Sequence, residues 1–404
     1  MKYSLERSLP VVMALALMAC GDSDSEKDSA EDTNTGAVGF SQTATWTFTE
    51  PDSGEKTECF DFDANQVVPC ENSTAWDMKI VQGTGGRSTP SFYTNSGVSG
   101  DGNGAALGSP FDYTWEELSA FRSGTVDGTG ATIPAQAFSE DSAANAFSDS
   151  VFVYADRRMT PTHQVFVVTT DKAQSLPDTS TANTAFALQV VDYYGGNTGA
   201  TSGHVSIRWV DVTDAQADPR TLEINATSYT AWTHVDLVNG TVVDAPTDDN
   251  WHLAFQRYFV KTNSGISGNG SVGSFKGTAV ADNADDAAKL AALQDGSNHW
   301  GWTSSGWSRS SWSVDTASST LNPSYQGTYP NPLDFGFYLY HPTANDTVPV
   351  AHMLSPGSSR GVMLRSGDGN SHARVRLTEI RYADEADYNS QRTYTFEFEV
   401  EPAR

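Results

Sequence analysis

Apolar and polar residues alternate along most of this chain, which predicts β-strands joined by turns. In residues 233–245 the alternation runs on both sides of Asn239-Gly240, a dipeptide that strongly favours a tight hairpin. The same pattern places Trp251 and Leu253 on a buried face and His252 on the solvent face. Further strands are predicted at 165–170, 185–194, 204–210, 361–366, 373–382 and 393–400.

Two short helices interrupt the strand pattern. Thr114 and Glu117 have the spacing of a capping box, and Tyr113 and Leu118 have the spacing of a hydrophobic staple. Residues 284–293 are rich in alanine and begin with acidic side chains, as the helix dipole favours. The elements together predict a mainly β chain with few helices.

A run of small and polar residues occurs twice. TNSGVSGDG at 94–102 returns as TNSGISGNG at 262–270, and upstream residues 60–80 align without a gap with 235–255. The repeated run lacks Lys and Arg and would make a poor phosphate cradle. Its glycines are therefore expected to serve a tight backbone path and not a ligand.

This repetition predicts a duplicated domain. The first copy carries seven extra residues, which the glycine-rich stretch 81–90 can hold as a longer loop. A repeat of this length suits a whole domain rather than a solenoid unit. We therefore expect two tandem homologous β-rich domains with one short helix each: a first copy at 44–218 and a second copy at 219–404, with the boundary near Asp218-Pro219.

Charge restricts the class of partner. The 404 residues include 24 basic and 50 acidic side chains, which gives a formal net charge of −26. Such a field repels phosphate backbones, so we expect no nucleic-acid partner.

The N-terminus has the pattern of an export signal. Lys2 and Arg7 precede the apolar run 11–18, which is too short to span a bilayer. The run ends in Leu-Met-Ala-Cys, which resembles a bacterial lipobox and implies cleavage after residue 19 and lipidation of Cys20. Residues 20–43 then form an acidic, Ser-rich stretch that is expected to be a disordered tether. By the same resemblance, Gly21 points to an anchor in the outer membrane.

With Cys20 lipidated, Cys59 and Cys70 remain in a compartment that permits disulfides, so we expect a structural bridge between them. The spacings of attached c-type haem and of the common structural zinc sites do not occur in the sequence. Nor do the nucleophile-elbow, HExxH, P-loop or dinucleotide-binding motifs, so we expect a protein that is not an enzyme.

Two loops offer side chains that could bind a porphyrin iron. His341 and the pair His352-Met353 flank one loop of the second copy, and a His or Met pair on neighbouring loops can supply axial ligands. Met159 and His163 occupy the comparable loop of the first copy. The stretch 299–312 is rich in Trp, and Trp302 and Trp307 could stack on a porphyrin or a sugar ring. These Trp side chains could instead pack on the core of their own domain.

Residues 225–243, with NATSY and a following Trp, and residues 250–265, NWHLAFQRYFVKTNSG, resemble the HmuY-like family of bacterial surface lipoproteins. The closing strands from 361 onward are also similar. The resemblance implies a β-rich fold. It also implies haem capture through a pair of His or a pair of Met, and delivery to an outer-membrane, TonB-dependent receptor. The matched stretches contain no ligand position, so the iron-ligand candidates rest on their loops alone.

Two hypotheses follow. In the leading one the protein is a haem-binding lipoprotein of the bacterial outer membrane, haemophore-like, with haem as its cofactor or cargo. In its rival the same scaffold is a carbohydrate-binding or adhesion module that uses the 299–312 aromatics. A hydrolase ranks third, for want of a catalytic constellation.

Overall fold

The computed structural model describes residues 39–403 except 72, 109–110, 149, 174–183, 213, 215–216, 278, 282 and 295–311. Within this part of the chain the structure is mainly β, which confirms the predicted fold class. No helix of the described residues is long and apolar enough to cross a membrane.

The elements follow one another in three stretches of the chain. The first contains β1 (Gln42–Thr49), β2 (Glu55–Asp61), β3 (Gln66–Val68), β4 (Met78–Gly83), β5 (Ser91–Thr94), β6 (Ala105–Leu107), helix α1 (Trp115–Ser119), a 3-10 turn (Ala135–Ala137) and β7 (Phe138–Ser139). The second contains β8 (Ser142–Ala144), β9 (Phe152–Ala155), β10 (Arg158–Pro161), β11 (Phe166–Thr169), β12 (Ala185–Gly195), β13 (Thr201–Asp211), β14 (Arg220–Asn225), β15 (Thr233–Asp236), β16 (Thr241–Val243), β17 (Leu253–Gln256), β18 (Phe259–Thr262), a 3-10 turn (Gly265–Ser267), β19 (Gly273–Lys276), helix α2 (Asp286–Gln294) and β20 (Thr316–Ser318). The third contains β21 (Leu333–Asp334), β22 (Tyr338–Tyr340), β23 (Leu354–Pro356), β24 (Val362–Arg365), β25 (His372–Tyr382) and β26 (Arg392–Glu401).

The chain folds as two units. Unit 1 combines Met1–Ser142 with Ser318–Arg404, and unit 2 is the continuous segment Ala143–Ala317. In unit 1 the largest sheet has the strand order β1-β26-β25-β24-β6-β7, beside a four-stranded sheet β3-β2-β4-β5 and a three-stranded sheet β21-β22-β23. The N-terminal strand of the chain therefore pairs along its length with the C-terminal strand.

Unit 2 repeats this plan with other segments. Its largest sheet has the order β14-β13-β12-β11-β19, beside a four-stranded sheet β16-β15-β17-β18 and the hairpin β9-β10. Strand for strand, β14 takes the place of β1, β13 that of β26, and β17-β18 that of β4-β5. We call two residues of different units counterparts when they make the same backbone contacts on corresponding strands.

The expected boundary near Asp218-Pro219 does not separate the two units. It lies between β13 and β14, which are neighbours in the main sheet of unit 2 and pair from His204–Asn225 to Trp209–Arg220. Each unit joins the first half of one predicted copy to the second half of the other. The pairing of long strands decides this division, because β1 finds its partner in β26 and not in β13.

Each unit encloses an apolar core on the inner face of its main sheet. In unit 1, Trp46 is 1% exposed and stacks on Phe60, with ring centroids 5.3 Å apart, and Phe396 closes on the same ring at 5.4 Å. In unit 2, the fully buried Trp209 and Phe255 take part in the corresponding core. Burying one such side chain contributes about 1.5–3 kcal/mol.

The local signals of the sequence are realised in the hairpins and in helix α1. Asn65 and Gly240 adopt positive φ angles of 51° and 70° at the two predicted hairpin turns. Thr114 accepts a hydrogen bond from the backbone of Glu117 at 3.2 Å, and Glu117 accepts one from the backbone of Thr114 at 2.7 Å. Cys59 and Cys70 are joined by a disulfide beside the first hairpin.

The repeated TNSG loop binds a buried aspartate in each unit. In unit 1 the carboxylate of Asp141 accepts from the Thr94 backbone N–H at 3.0 Å and from the Thr94 hydroxyl at 3.1 Å. In unit 2 Asp315 accepts from the same two groups of Thr262, at 3.0 and 2.6 Å. We call each arrangement an aspartate clasp. Burial raises the pKa of both carboxyl groups.

The glycines of the loop allow this clasp to close. Gly97 and Gly265 have φ angles of 55° and 60°, where side chains are disfavoured. A Cβ at either position would lie 1.9 Å from the backbone oxygen of the clasp aspartate, Asp141 or Asp315. The glycines thus serve the backbone path, as the sequence predicted.

Removal of a clasp carboxylate should destabilise its unit. Asp141→Ala leaves the buried backbone N–H of Thr94 unpaired, while the Thr94 hydroxyl keeps its contact with Ser96, so we expect the free energy of unfolding to fall by about 1–3 kcal/mol. Urea unfolding followed by tryptophan fluorescence measures this change. Asp101→Ala, at an exposed position of the same loop region, is the matched control and should change little. Equal stability of the two variants would contradict the role of the clasp.

Candidate functional site

The hairpin β22-β23 carries the candidate iron ligands of the second copy. Tyr340 pairs with Leu354 at its base, and residues 341–353 form the loop between the strands. The counterpart hairpin of unit 2, β9-β10, is closed by Asp156 and Arg157 alone, both with positive φ. Of the two hairpins, only that of unit 1 therefore has a long loop.

His341 is built into the structure of this loop. Its side chain is buried, with the residue 2% exposed, and both ring nitrogens are engaged. Nε2 lies 2.7 Å from the hydroxyl of Ser355, and Nδ1 lies 2.8 Å from the amide nitrogen of Asn345. Burial lowers the pKa of the imidazole, which favours the neutral ring. A ring held in this way fixes the loop and has no nitrogen left for a metal.

Met353 is a core residue. It is 2% exposed and packs with Val348 and Tyr382 in a small apolar cluster. The Tyr382 hydroxyl accepts a hydrogen bond from the backbone N–H of Leu354 at 2.6 Å, which holds the strand next to Met353 in place. The thioether of Met353 is therefore enclosed by its own domain.

His352 differs from both neighbours because it is exposed. Its backbone has a φ of 71°, and its Nδ1 lies 2.6 Å from the hydroxyl of Tyr340. The rings of Tyr340 and Tyr388 lie beside the imidazole, with centroids at 6.0 and 5.4 Å. Among the described residues no hydrogen bond engages Nε2 of His352. Sequence reasoning missed Tyr340 and Tyr388 as partners of His352. The FYLY alternation places Tyr338 and Tyr340 on one face of β22, and this signal could have pointed to Tyr340 but not to Tyr388.

The candidates of the first copy lie in unit 2 at different kinds of position. Met159 packs partly buried against the core, and its backbone N–H donates to the hydroxyl of Tyr194 at 3.0 Å. His163 is half-buried with a φ of 54°, and burial lowers the pKa of its imidazole, with Lys289 and Arg208 adding to the effect. The structure records no contact that brings Met159 and His163 together.

The remaining predicted positions fall largely outside the described residues. Cys20, Trp302 and Trp307 all lie there. From the Trp-rich stretch, Trp312 is described: it is 8% exposed and packs on Phe275 at 5.3 Å. This one Trp serves the core of its own unit.

Three carboxyl groups of unit 1 form an acidic cluster. One oxygen from each of Asp61, Asp63 and Asp77 lies within 4.8 Å of the others. The Asp77 carboxylate accepts backbone hydrogen bonds from Phe62 at 2.8 Å and Gly367 at 2.7 Å. These contacts give the buried Asp77 a role in the fold itself.

The counterpart in unit 2 explains the role of Asp77. There the imidazole Nδ1 of His252 accepts from the backbone N–H of Leu237 at 3.2 Å, as Asp77 does from Phe62. His252 is 8% exposed, so the expectation that it faces solvent is wrong. The fold needs a buried acceptor for this backbone N–H, and the position supplies one in both units.

Comparison with known families adds one finding. Residues 228–397 match the family model described as HmuY protein. The chain is HmuY-like over this stretch. No curated protein matches the sequence. The HmuY match crosses from unit 2 into unit 1, because residues 228–317 belong to the one and 318–397 to the other. The hairpin with His352 lies in the part of the match that belongs to unit 1.

The buried Asp77 predicts a pH-dependent stability. Burial raises its pKa to about 8, against about 3.9 in an unfolded chain, so the folded state holds an extra proton between these values. Stability from this group is present in acid and is lost as the pH rises through the folded pKa. As the pH rises from 5 to 7, we expect the free energy of unfolding of Asp77→Asn to increase relative to that of the wild type by up to about 1.4 kcal/mol per pH unit.

Urea unfolding at several pH values measures this difference. Asp101→Asn, which removes an exposed carboxylate, is the matched control. Its curve should run parallel to that of the wild type. A parallel curve for Asp77→Asn as well would show that Asp77 does not hold the extra proton.

Proposed function

We propose that this HmuY-like protein binds haem as cargo at a bacterial surface, with His352 as an iron ligand. The observation that carries the proposal is the exposed imidazole of His352, whose Nε2 has no partner among the described residues. It lies in the stretch that matches the family, beside two tyrosine rings. Of the three candidates in this hairpin, His352 fits an iron, whereas His341 and Met353 are buried and engaged.

The contact with Tyr340 suits His352 for this role. When the Tyr340 hydroxyl accepts from Nδ1–H at 2.6 Å, the neutral tautomer leaves the lone pair on Nε2. Such a second partner fixes the orientation of a ligating ring and raises its basicity. The faces of Tyr340 and Tyr388 add apolar surface on which a porphyrin can lie.

The role we propose is capture and transfer without chemical change of the cargo. Lipidation at Cys20 would hold the protein in the outer membrane, and an outer-membrane receptor would take up the haem. Met159 and His163 stay weaker candidates for a second haem, because their hairpin ends in a two-residue turn.

The alternative is a glycan-binding surface protein that uses Trp302 and Trp307. It predicts quenching of Trp fluorescence by glycans and loss of that quenching in Trp302→Ala or Trp307→Ala. Protein that retains no colour after unbound haemin is removed would favour it.

A haemin titration tests the leading proposal. The chain without residues 1–20 should give a saturable shift of the Soret band, and His352→Ala should weaken binding at least tenfold because it removes the iron–nitrogen bond. His204→Ala, which removes an imidazole outside the candidate hairpins, is the matched control in unit 2 and should bind as the wild type does. Unchanged affinity in His352→Ala, or the absence of a Soret shift in the wild type, would contradict the proposal.

A further inference from the structure

Because both units follow one strand order, a loop found in one unit alone is not needed by the fold. Between β4 and β5, unit 1 has residues 84–90, whereas unit 2 joins the corresponding strands β17 and β18 by Arg257 and Tyr258. This loop accounts for five of the seven extra residues predicted from the sequence, and the longer strand β4 accounts for the other two.

A second extension belongs to unit 1 as well. Asn322 donates its side-chain amide to the backbone oxygen of Phe92 on β5, and Asn145 donates to that of Val260 on β18, so the two asparagines are counterparts. From Asn322 the chain needs 16 residues to reach β22, but from Asn145 it needs seven to reach β9. The added segment includes Tyr325, which is 57% exposed.

The two extensions meet at a cavity of about 200 Å³ in unit 1. Thr89 and Pro90 line it from the 84–90 loop, and Asn322, Phe335 and Tyr338 line it from the second extension. The volume lies below the roughly 300–1,000 Å³ of pockets for drug-sized ligands and far above the space of one water. It suits a single ring.

A buried ion pair holds one wall of the cavity. Arg392 and Glu50 are 0% and 3% exposed, and the Arg392 guanidinium donates to the backbone oxygens of Gly85 at 3.1 Å and Ser88 at 2.7 Å. Burying two charges is costly even when they are paired. The pair holds the 84–90 loop through the hydrogen bonds from Arg392 to the loop backbone.

Unit 2 does without such a pair. Glu50 N–H donates to the Arg392 oxygen at 3.0 Å, as Ala226 N–H does to that of Gly203 at 2.9 Å, so the counterparts are Ala226 and Gly203. The fold is therefore built without the ion pair in unit 2. In unit 1 the pair accompanies the extra loop that it holds.

The lining indicates the chemistry of the ligand. The rings of Phe335 and Tyr338 are stacked, with centroids 5.2 Å apart and planes at 12°, and Tyr325 lies 5.7 Å from Phe335. Thr89 and Ser91 also line the cavity, with hydroxyl groups that pair with those of Tyr338 and Tyr93, and among the described residues no charged side chain lines it. Aromatic faces with hydroxyls and no charge favour a neutral, hydroxyl-bearing ring over a carboxylate or phosphate.

We propose that this cavity binds one ring of a neutral sugar, such as a hexose unit of a glycan, at a site separate from His352. The site is composite, because one wall comes from the first predicted copy and the other from the second. It differs from the Trp-rich stretch in place and in residues, and it does not depend on haem.

Saturation-transfer NMR tests the proposal with the chain lacking only residues 1–20. Glucose, galactose, mannose and N-acetylglucosamine are the neutral probes, and glucuronic acid is the charged one. Thr89→Trp fills the cavity from an exposed position, and Phe335→Ala removes half of the stacked pair. Tyr329→Ala, 70% exposed in the same extension and not part of the lining, is the matched control.

We expect saturable transfer to at least one neutral sugar, weakened at least tenfold in Thr89→Trp and Phe335→Ala and unchanged in Tyr329→Ala. Thermal unfolding checks that each variant is folded. If Phe335→Ala does not fold, Thr89→Trp still tests the proposal. No transfer to any neutral probe, equal transfer in Thr89→Trp, or transfer to glucuronic acid alone would overturn the proposal. If the sugar experiment fails but haemin still gives a saturable Soret shift that His352→Ala weakens, the haem proposal stands and only the sugar proposal is overturned.

Discussion

The fold depends on how each unit protects the free edge of its four-stranded sheet. The edge strands β5 and β18 would otherwise present unpaired backbone groups, which are a template for aggregation. Asp141 and Asp315 accept hydrogen bonds from the buried backbone N–H and hydroxyl of Thr94 and Thr262, the last residues of these strands. Asn322 and Asn145 donate to the backbone oxygens of Phe92 and Val260 on the same strands. Both aspartates lie where the chain passes from one unit to the other. The same contacts therefore cover the sheet edges and hold the chain close to the residues where one unit ends and the next begins.

This arrangement separates the unit of sequence from the unit of structure. The HmuY match is continuous along the chain but belongs to two units. Unit 1 combines the start and the end of the chain, so the cavity beside β5 draws on residues that are more than 200 positions apart, such as Thr89 and Asn322. Loops 84–90 and 341–353, both absent from unit 2, give unit 1 its candidate sites. Function in this chain is expected where the two units differ, since their shared plan already accounts for stability.

Local features were predictable because they depend on near neighbours. The capping box at Thr114, the left-handed Asn65 and the glycine path of the TNSG loops all follow from a few adjacent residues. Alternation identifies a strand but does not name its partner, so the pairing of β1 with β26 could not be read from the pattern. For the same reason the sequence could not distinguish the buried His341 from the exposed His352, or place Tyr388 beside it.

Native-state hydrogen exchange in low urea tests the division into units most directly. Peptides from residues 42–49, 372–382 and 392–401 should lose protection together, and peptides from 185–195, 201–211 and 220–225 should form a second group, because each set shares one sheet. If residues 42–49 instead exchange together with 185–211, and 220–225 with 392–401, the chain folds as two tandem copies, and the division into these two units is contradicted.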